Sequence, residues 1–422
     1  MRMRRGVGAV FIAALALLVA SPADAATGAQ YGIQDDAWLM YGPGSLSERV
    51  TTLQGLGVGL VRFTLRWDAV APTKPAEQRN PSDAAYHWGA SGDVLDALHA
   101  HGIPVLVTLW GSPSWANGGG APNRLPRAGL GNFAAAAALR FPWVRLWTVW
   151  NEPNSRTFAS PVSPRLYVTL ALNPAYAALH AASGANKVAG GVTSPRTTPS
   201  GMSPLAFMQG MHAAHAHLDA YAQNPYPVGR GETPFRASCA LCMTMASLPG
   251  IRAEVTRNFG SKPLWLTEYG YQTNPPDRLL GVSYALQAKY LGQAALRVWQ
   301  QPGVTVLIHF LVQDEPSLGG WQSGLVSAGG TAKLAYHAFA LPLAEVSRRG
   351  SRTRLWGQVR PGSGARRYVL EQWVGGRWQA VGSTATTSRN GAFSRLVQLP
   401  AGARVRIFAP AVGWASPALT IS

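Results

Sequence analysis

A chain of 422 residues with 47% hydrophobic and 9% aromatic residues has ample material for a large core, which excludes a disordered or fibrous protein. Its net charge of +18 is uneven, because residues 345–422 alone hold twelve Arg and no Lys against two acids. These Arg alternate along apparent strands instead of gathering with exposed aromatics, so no nucleic-acid partner is expected; weak attachment to an anionic cell-wall polymer is what the basic tail suggests.

Taken in chain order, Arg2, Arg4 and Arg5 precede an apolar run from Val7 to Ala20, and Ala23-Asp24-Ala25 supplies small residues for cleavage. The pattern predicts a secretory leader over 1–26, too short for a lasting membrane span. The expected protein is therefore exported, extracellular or cell-wall associated, and free of the membrane after cleavage. From residue 28 to 346 short apolar strands alternate with helical stretches. Eight strands are expected: Tyr31–Asp35, Leu60–Arg66, Pro104–Leu109, Leu146–Trp150, Val188–Thr193, Ala220–Asn224, Leu264–Glu268 and Thr305–Leu311. Helical stretches lie between them, among them Asn132–Leu139, Arg165–Ala182 and Lys333–Glu345. This α/β rhythm predicts a (β/α)8 (TIM) barrel over 27–346. An open doubly wound sheet would usually carry a glycine-rich nucleotide loop after its first strand, and the sequence has none there. Past residue 346 the helical period stops. Short alternating runs separated by Gly375-Gly376 and Asn390-Gly391 predict a small all-β domain over 347–422, an immunoglobulin-like sandwich.

Cys239 and Cys242 are the only cysteines, and in an exported chain a pair this close predicts a small-loop disulfide. Zinc would need two more ligands, and the spacing of His212, His215 and His217 matches no zinc pattern, so neither metal nor cofactor is expected.

In a barrel, chemistry sits at the C-terminal strand ends. The fourth strand runs into Trp150-Asn151-Glu152-Pro153-Asn154 and the seventh into Thr267-Glu268-Tyr269-Gly270. Each delivers a carboxylate to the rim. Two carboxylates facing across a sugar suit glycosidic cleavage, where one must be protonated and the other ionised.

These motifs resemble the clan of retaining (β/α)8 glycoside hydrolases with glutamates on strands four and seven, most of all families thirty-nine and five, of the cellulase and xylosidase kind. The resemblance covers residues 28 to about 346. It implies Glu152 as acid/base, Glu268 as nucleophile and Asn151 as the residue bonding the sugar 2-hydroxyl. Arg62, five residues before Trp67, resembles the clan arginine that pairs with and aims the nucleophile. Asn224-Pro225-Tyr226 stands where the clan has His-x-Tyr or Asn-x-Tyr, which implies that Tyr226 donates to Glu268. Trp110, Ser112 and Trp115 follow strand three, and the two aromatics suit sugar stacking. On strand eight Phe310 replaces the clan's usual Trp, with Trp321 on the next loop as a substitute. The implied activity is cleavage of O-glycosidic bonds in a poly- or oligosaccharide by double displacement. Transglycosylation by the same intermediate, or a non-catalytic carbohydrate-binding role on the same fold, are the alternatives the sequence leaves open.

Overall fold

A computed structural model describes residues 29–422, so the leader expected over 1–26 lies outside the described residues. Eight parallel strands close into a barrel in chain order: β1 (Gln30–Gln34), β2 (Leu60–Arg66), β3 (Val105–Trp110), β4 (Leu146–Val149), β5 (Lys187–Thr193), β6 (Ala220–Gln223), β7 (Leu264–Tyr269) and β8 (Val304–Phe310). All eight strands appear where the alternation placed them.

Side chains alternate between the two faces of a strand, so every second residue points into the barrel. Leu60, Leu106, Ala189, Ala220, Ala222, Trp265, Val306 and Ile308 form the apolar interior, with small side chains on β5 and β6 offsetting the bulk of Trp265. Two residues further along the same faces the filling turns polar: Gln34, Arg62, Thr108, Thr148 and Thr267 are all buried. That change sets the site on top of a packed floor. The outward strand faces and the surrounding helices make the second, larger core.

Two helices depart from their expected form. The stretch expected as one helix over Arg165–Ala182 is α-helical at Pro164–Leu166, π-helical at Tyr167–Leu172 and α-helical again at Asn173–Ala182. Pro174 has no amide hydrogen and its ring crowds the carbonyl one turn back, so the ladder widens there. Within that wide turn the Tyr167 hydroxyl donates to the Val149 carbonyl (2.8 Å) and accepts from the Gly191 amide (3.2 Å), bracing β4 against β5. The last helix spans Leu334–Ala340 and stops short of Glu345 because Pro342 biases Leu341 out of the helical region.

The chain then enters β9 (Leu343–Arg349), followed by β10 (Arg352–Gln358), β11 (Arg367–Val374), β12 (Arg377–Ala380), β13 (Ala385–Thr386), β14 (Ala392–Gln398), β15 (Arg404–Ala409), β16 (Trp414–Ala415) and β17 (Leu419–Thr420). They form two antiparallel sheets, β14-β10-β9 and β12-β11-β15-β16, the second extended by β13 and β17. The stacked rings of Tyr368 and Phe393, 4.0 Å apart, join one sheet to the other. This all-β domain abuts the barrel. Its Arg360 guanidinium lies over the rings of Tyr31 (4.3 Å) and Phe339 (4.6 Å), while the Arg360 amide donates to the Ala340 carbonyl (2.9 Å).

Candidate active site

Glu268 lies on β7 where the pairing to β8 shifts register between Leu266 and Tyr269. Regular alternation would turn Thr267 inward and Glu268 outward. The irregularity re-aims the carboxylate, as bulges near barrel rims do, and both residues meet the Arg62 guanidinium. Arg62 Nη1 donates to Glu268 Oε1, to the Thr267 carbonyl (3.4 Å) and to Gln34 Oε1 (2.5 Å). Its Nε donates to Thr108 Oγ1 (2.9 Å) and its Nη2 to Asn151 Oδ1 (2.9 Å). A fully buried guanidinium is tolerable only when paired and hydrogen-bonded in this way. The other oxygen of Glu268 accepts from the Tyr226 hydroxyl (3.1 Å). Burial, then the charges of Glu268 and Glu152, push the Tyr226 phenol well above its usual value, so it stays a donor.

Glu152 follows β4 on strained backbone. Trp150 (φ 71°) and Glu152 (φ 40°) occupy the left-handed region that residues with side chains rarely adopt. The surroundings impose it: the Trp150 amide donates to Leu109 O (2.8 Å) and the Glu152 amide to Val192 O (2.9 Å), and the Trp150 indole donates to Phe158 O (2.8 Å). Asn224 Nδ2 donates to Glu152 Oε1 (3.1 Å), and its own Oδ1 accepts from Thr267 Oγ1 (2.8 Å), which fixes the amide. Enclosure by protein and then the neighbouring Glu268 charge raise the Glu152 carboxyl from 4.5 to about 8. The two carboxyls thus sit in unlike settings, one paired with a cation and a phenol, the other desolvated and bonded to an amide.

No protein-family model matches the chain, and comparison with curated proteins finds no match. Solved structures do resemble it. A glucosidase from Croceicoccus marinus superposes with a TM-score of 0.60 at 14% identity, over 90% of this chain and 94% of that one. A hyperthermophilic β-glucosidase from Pyrococcus furiosus gives 0.52 at 15%, over 74% and 94%. GH5_18 from Streptomyces cattleya, in its GlcNAc complex, gives 0.52 at 16%, over 74% and 79%. The fold is that of solved glycosidases. At these identities the likeness speaks for architecture alone.

The structure gathers Arg62, Asn151, Glu152, Asn224, Tyr226 and Glu268 into one hydrogen-bonded set. It adds Gln34, Thr108 and Thr267, which sequence reading passed over although polar residues at inward positions of apolar strands were the available signal. It also adds Asp36, the first residue of the short helix Asp36–Tyr41 after β1, whose carboxyl accepts from the Thr64 amide (3.2 Å) and from Gln34 Nε2 (3.3 Å). Trp110 is partly exposed at the mouth, 6.2 Å from the Trp150 ring, with the Arg66 guanidinium 5.2 Å from its centroid. Trp115 and Ser112 do not face the mouth. The Trp115 ring packs edge-on against buried Trp67 (5.4 Å) and its indole donates to Ala71 O (2.9 Å), while the buried Ser112 hydroxyl donates to Arg124 O within its own loop. Their polar groups are spent on structure: Ser112 closes the β3 loop, and Trp115 ties that loop to the segment after β2. A groove of about 680 Å³ lined by Gly129, Gly131, Ala135, Pro174 and Ala178 lies between outer helices, and neither carboxylate lines it.

Across the mouth, Trp321 lies 4.7 Å from the Tyr226 ring and 5.8 Å, edge-on, from Phe310. Its loop is held by a buried ion pair: Lys333 Nζ meets Asp314 Oδ1 at 2.6 Å and also donates to Thr273 Oγ1 (2.9 Å) and Gln322 O (3.1 Å). Gly270, closing the Thr-Glu-Tyr-Gly motif, is required by the same packing, since a Cβ there would lie 2.7 Å from Phe310 O and 2.9 Å from Ser323 Cβ. Replacing Lys333 by Met should leave Asp314 buried without its partner and destabilise the fold by about 3–5 kcal/mol, read as a lower midpoint in urea unfolding. An unchanged midpoint would show that the loop is not anchored by this pair. Between β6 and the next helix, Cys239 and Cys242 form a disulfide.

Proposed function

We propose that this protein is a retaining glycoside hydrolase in which Glu268 is the nucleophile and Glu152 the acid/base. The observation that carries the reading is the opposite treatment of two neighbouring carboxyls: Arg62 and Tyr226 hold both oxygens of Glu268, while Glu152 is raised to about 8. Splitting a carboxyl pair in this way assigns acid and nucleophile. In the first step the Glu268 carboxylate attacks the anomeric carbon. The bond to the leaving oxygen breaks as Glu152 gives that oxygen its proton. In the second step Glu152, now a carboxylate stabilised by Asn224, takes a proton from water. The resulting hydroxide attacks the anomeric carbon and releases Glu268. Asn151 Oδ1 already accepts from Arg62, so its amide nitrogen is left to donate to the sugar hydroxyl beside the cleaved bond. Tyr226, Phe310 and Trp321 supply an aromatic face for the sugar ring.

The pH dependence tests this assignment. A raised Glu152 pKa keeps the acid form present below that value and loses it as pH rises, so kcat/KM on a natural glycoside should fall on the alkaline side. Glu152→Gln should abolish that alkaline limb along with most of the activity. An alkaline limb that survives in the variant would assign it to another group.

We also propose that the protein is exported and that its Arg-rich domain, with Arg348, Arg349 and Arg352 exposed around the β9–β10 turn, attaches weakly to anionic wall polymer. The Cys239–Cys242 disulfide fits an oxidising compartment. N-terminal sequencing of protein recovered from the culture medium tests the export.

A further inference from the structure

The loops that follow β3, β4 and β5 are one-sided in charge. Between Asp96 and Asp219 the chain has eight basic residues and a single acid, Glu152 itself. Four of those cations, Arg124, Arg127, Arg156 and Arg196, lie on the loops that follow β3, β4 and β5, and all four are exposed. Among the described residues none of the four forms an ion pair. The loops after β7 and β8 instead carry Asp277, Asp314 and Glu315 against Arg278 and the buried Lys333.

The cationic side is one stiff lip. Arg124 and Ser160 pair as a backbone bridge, the Leu125 amide donates to Ser160 O (3.0 Å), and Asn123 Nδ2 donates to Arg156 O (3.2 Å). These bonds join the β3 loop to the β4 loop. Asn154 then joins the β4 loop to the β5 loop: its Oδ1 accepts from the Ser194 amide (2.9 Å), its Nδ2 donates to Ser194 Oγ (2.9 Å), and that hydroxyl donates to Arg196 O (3.1 Å). Unpaired cations of one sign on neighbouring loops repel each other and do nothing for folding. Their field is useful when an anion enters the cleft. A guanidinium also offers a planar fork that matches a carboxylate with two parallel hydrogen bonds.

We propose that the cleft takes a saccharide bearing regularly spaced carboxylates, a uronic-acid polymer or its oligosaccharides, with those groups along the β3–β5 lip. The inference rests on the glycosidase reading for which bond is cut, but the charge match is read by binding alone. The test is calorimetry on the full chain carrying Glu268→Gln, which suppresses turnover. The probes are an oligoglucuronate hexamer, a sulfated hexamer and neutral cellohexaose, at about 0.05 M and about 0.3 M salt. At low salt the glucuronate hexamer should bind about tenfold or more tighter than cellohexaose, and the preference should shrink at high salt. Adding R156E and R196E should remove the preference and leave cellohexaose binding unchanged. Adding Arg348→Gln, Arg349→Gln and Arg352→Gln in the β-domain should retain it. Equal binding of charged and neutral hexamers, or a preference that survives the lip variant, would overturn the proposal. Tighter binding of the sulfated probe would overturn the assignment to carboxylates. A wild-type protein that shows the preference yet cleaves nothing would sink the glycosidase reading and leave the binding inference standing.

Discussion

Replacing Glu268 by Gln should lower kcat/KM by about four orders of magnitude or more on any glycoside the protein cleaves. Glutamine keeps the size and planarity of the side chain; its oxygen can still accept from Arg62, and its amide nitrogen can donate to the Tyr226 phenol oxygen, the two groups that touch the oxygens of the native residue. It has no carboxylate to form the covalent bond to the anomeric carbon. Because the geometry is conserved, the loss should appear in kcat with the substrate still bound, and circular dichroism should show an intact fold. A variant that retained more than a few per cent of wild-type turnover would remove Glu268 from the chemistry.

Truncating Glu152 to Ala should have a large effect of a different kind. General acid catalysis contributes about 10²- to 10⁴-fold, and that contribution depends on how poorly the leaving group departs unaided. Sugar leaving groups should suffer the full loss. Nitrophenyl glycosides, whose leaving group needs no proton, should form the covalent intermediate at nearly the wild-type rate and then stall at its hydrolysis. A burst of nitrophenol followed by slow steady turnover is the expected trace. Azide should accelerate the slow phase by entering the space left by the carboxyl and attacking the anomeric carbon directly. An equal loss on both substrate types, without azide rescue, would make Glu152 a binding residue.

Part of this site was legible in the sequence. Asn151-Glu152 and Thr267-Glu268 follow apolar strands, so the carboxylate pair emerges from a one-dimensional pattern, whereas Arg62 stood out only by its resemblance to the clan arginine. The pattern says nothing of the register shift that turns Glu268 inward, because a bulge depends on how two strands pair and not on either one's composition. Nor does it show the left-handed backbone at Trp150 and Glu152, which neighbouring carbonyls impose. Trp115 and Ser112 were indistinguishable from Trp110 by type and position; only packing against Trp67 and the Arg124 carbonyl separates them. The Asp314–Lys333 pair spans a loop and leaves no local signal. Pro174 and Pro342, by contrast, were visible markers of the two helical departures.

The most direct test of the central claim is the stereochemistry of the first product. When an active aryl glycoside is hydrolysed by a large amount of enzyme in an NMR tube, the anomeric proton of the nascent sugar can be read before mutarotation. Double displacement through Glu268 requires the released sugar to carry the anomeric configuration of the substrate. Initial accumulation of the opposite anomer would mean a single displacement by water, and would contradict the assignment of Glu268 as nucleophile.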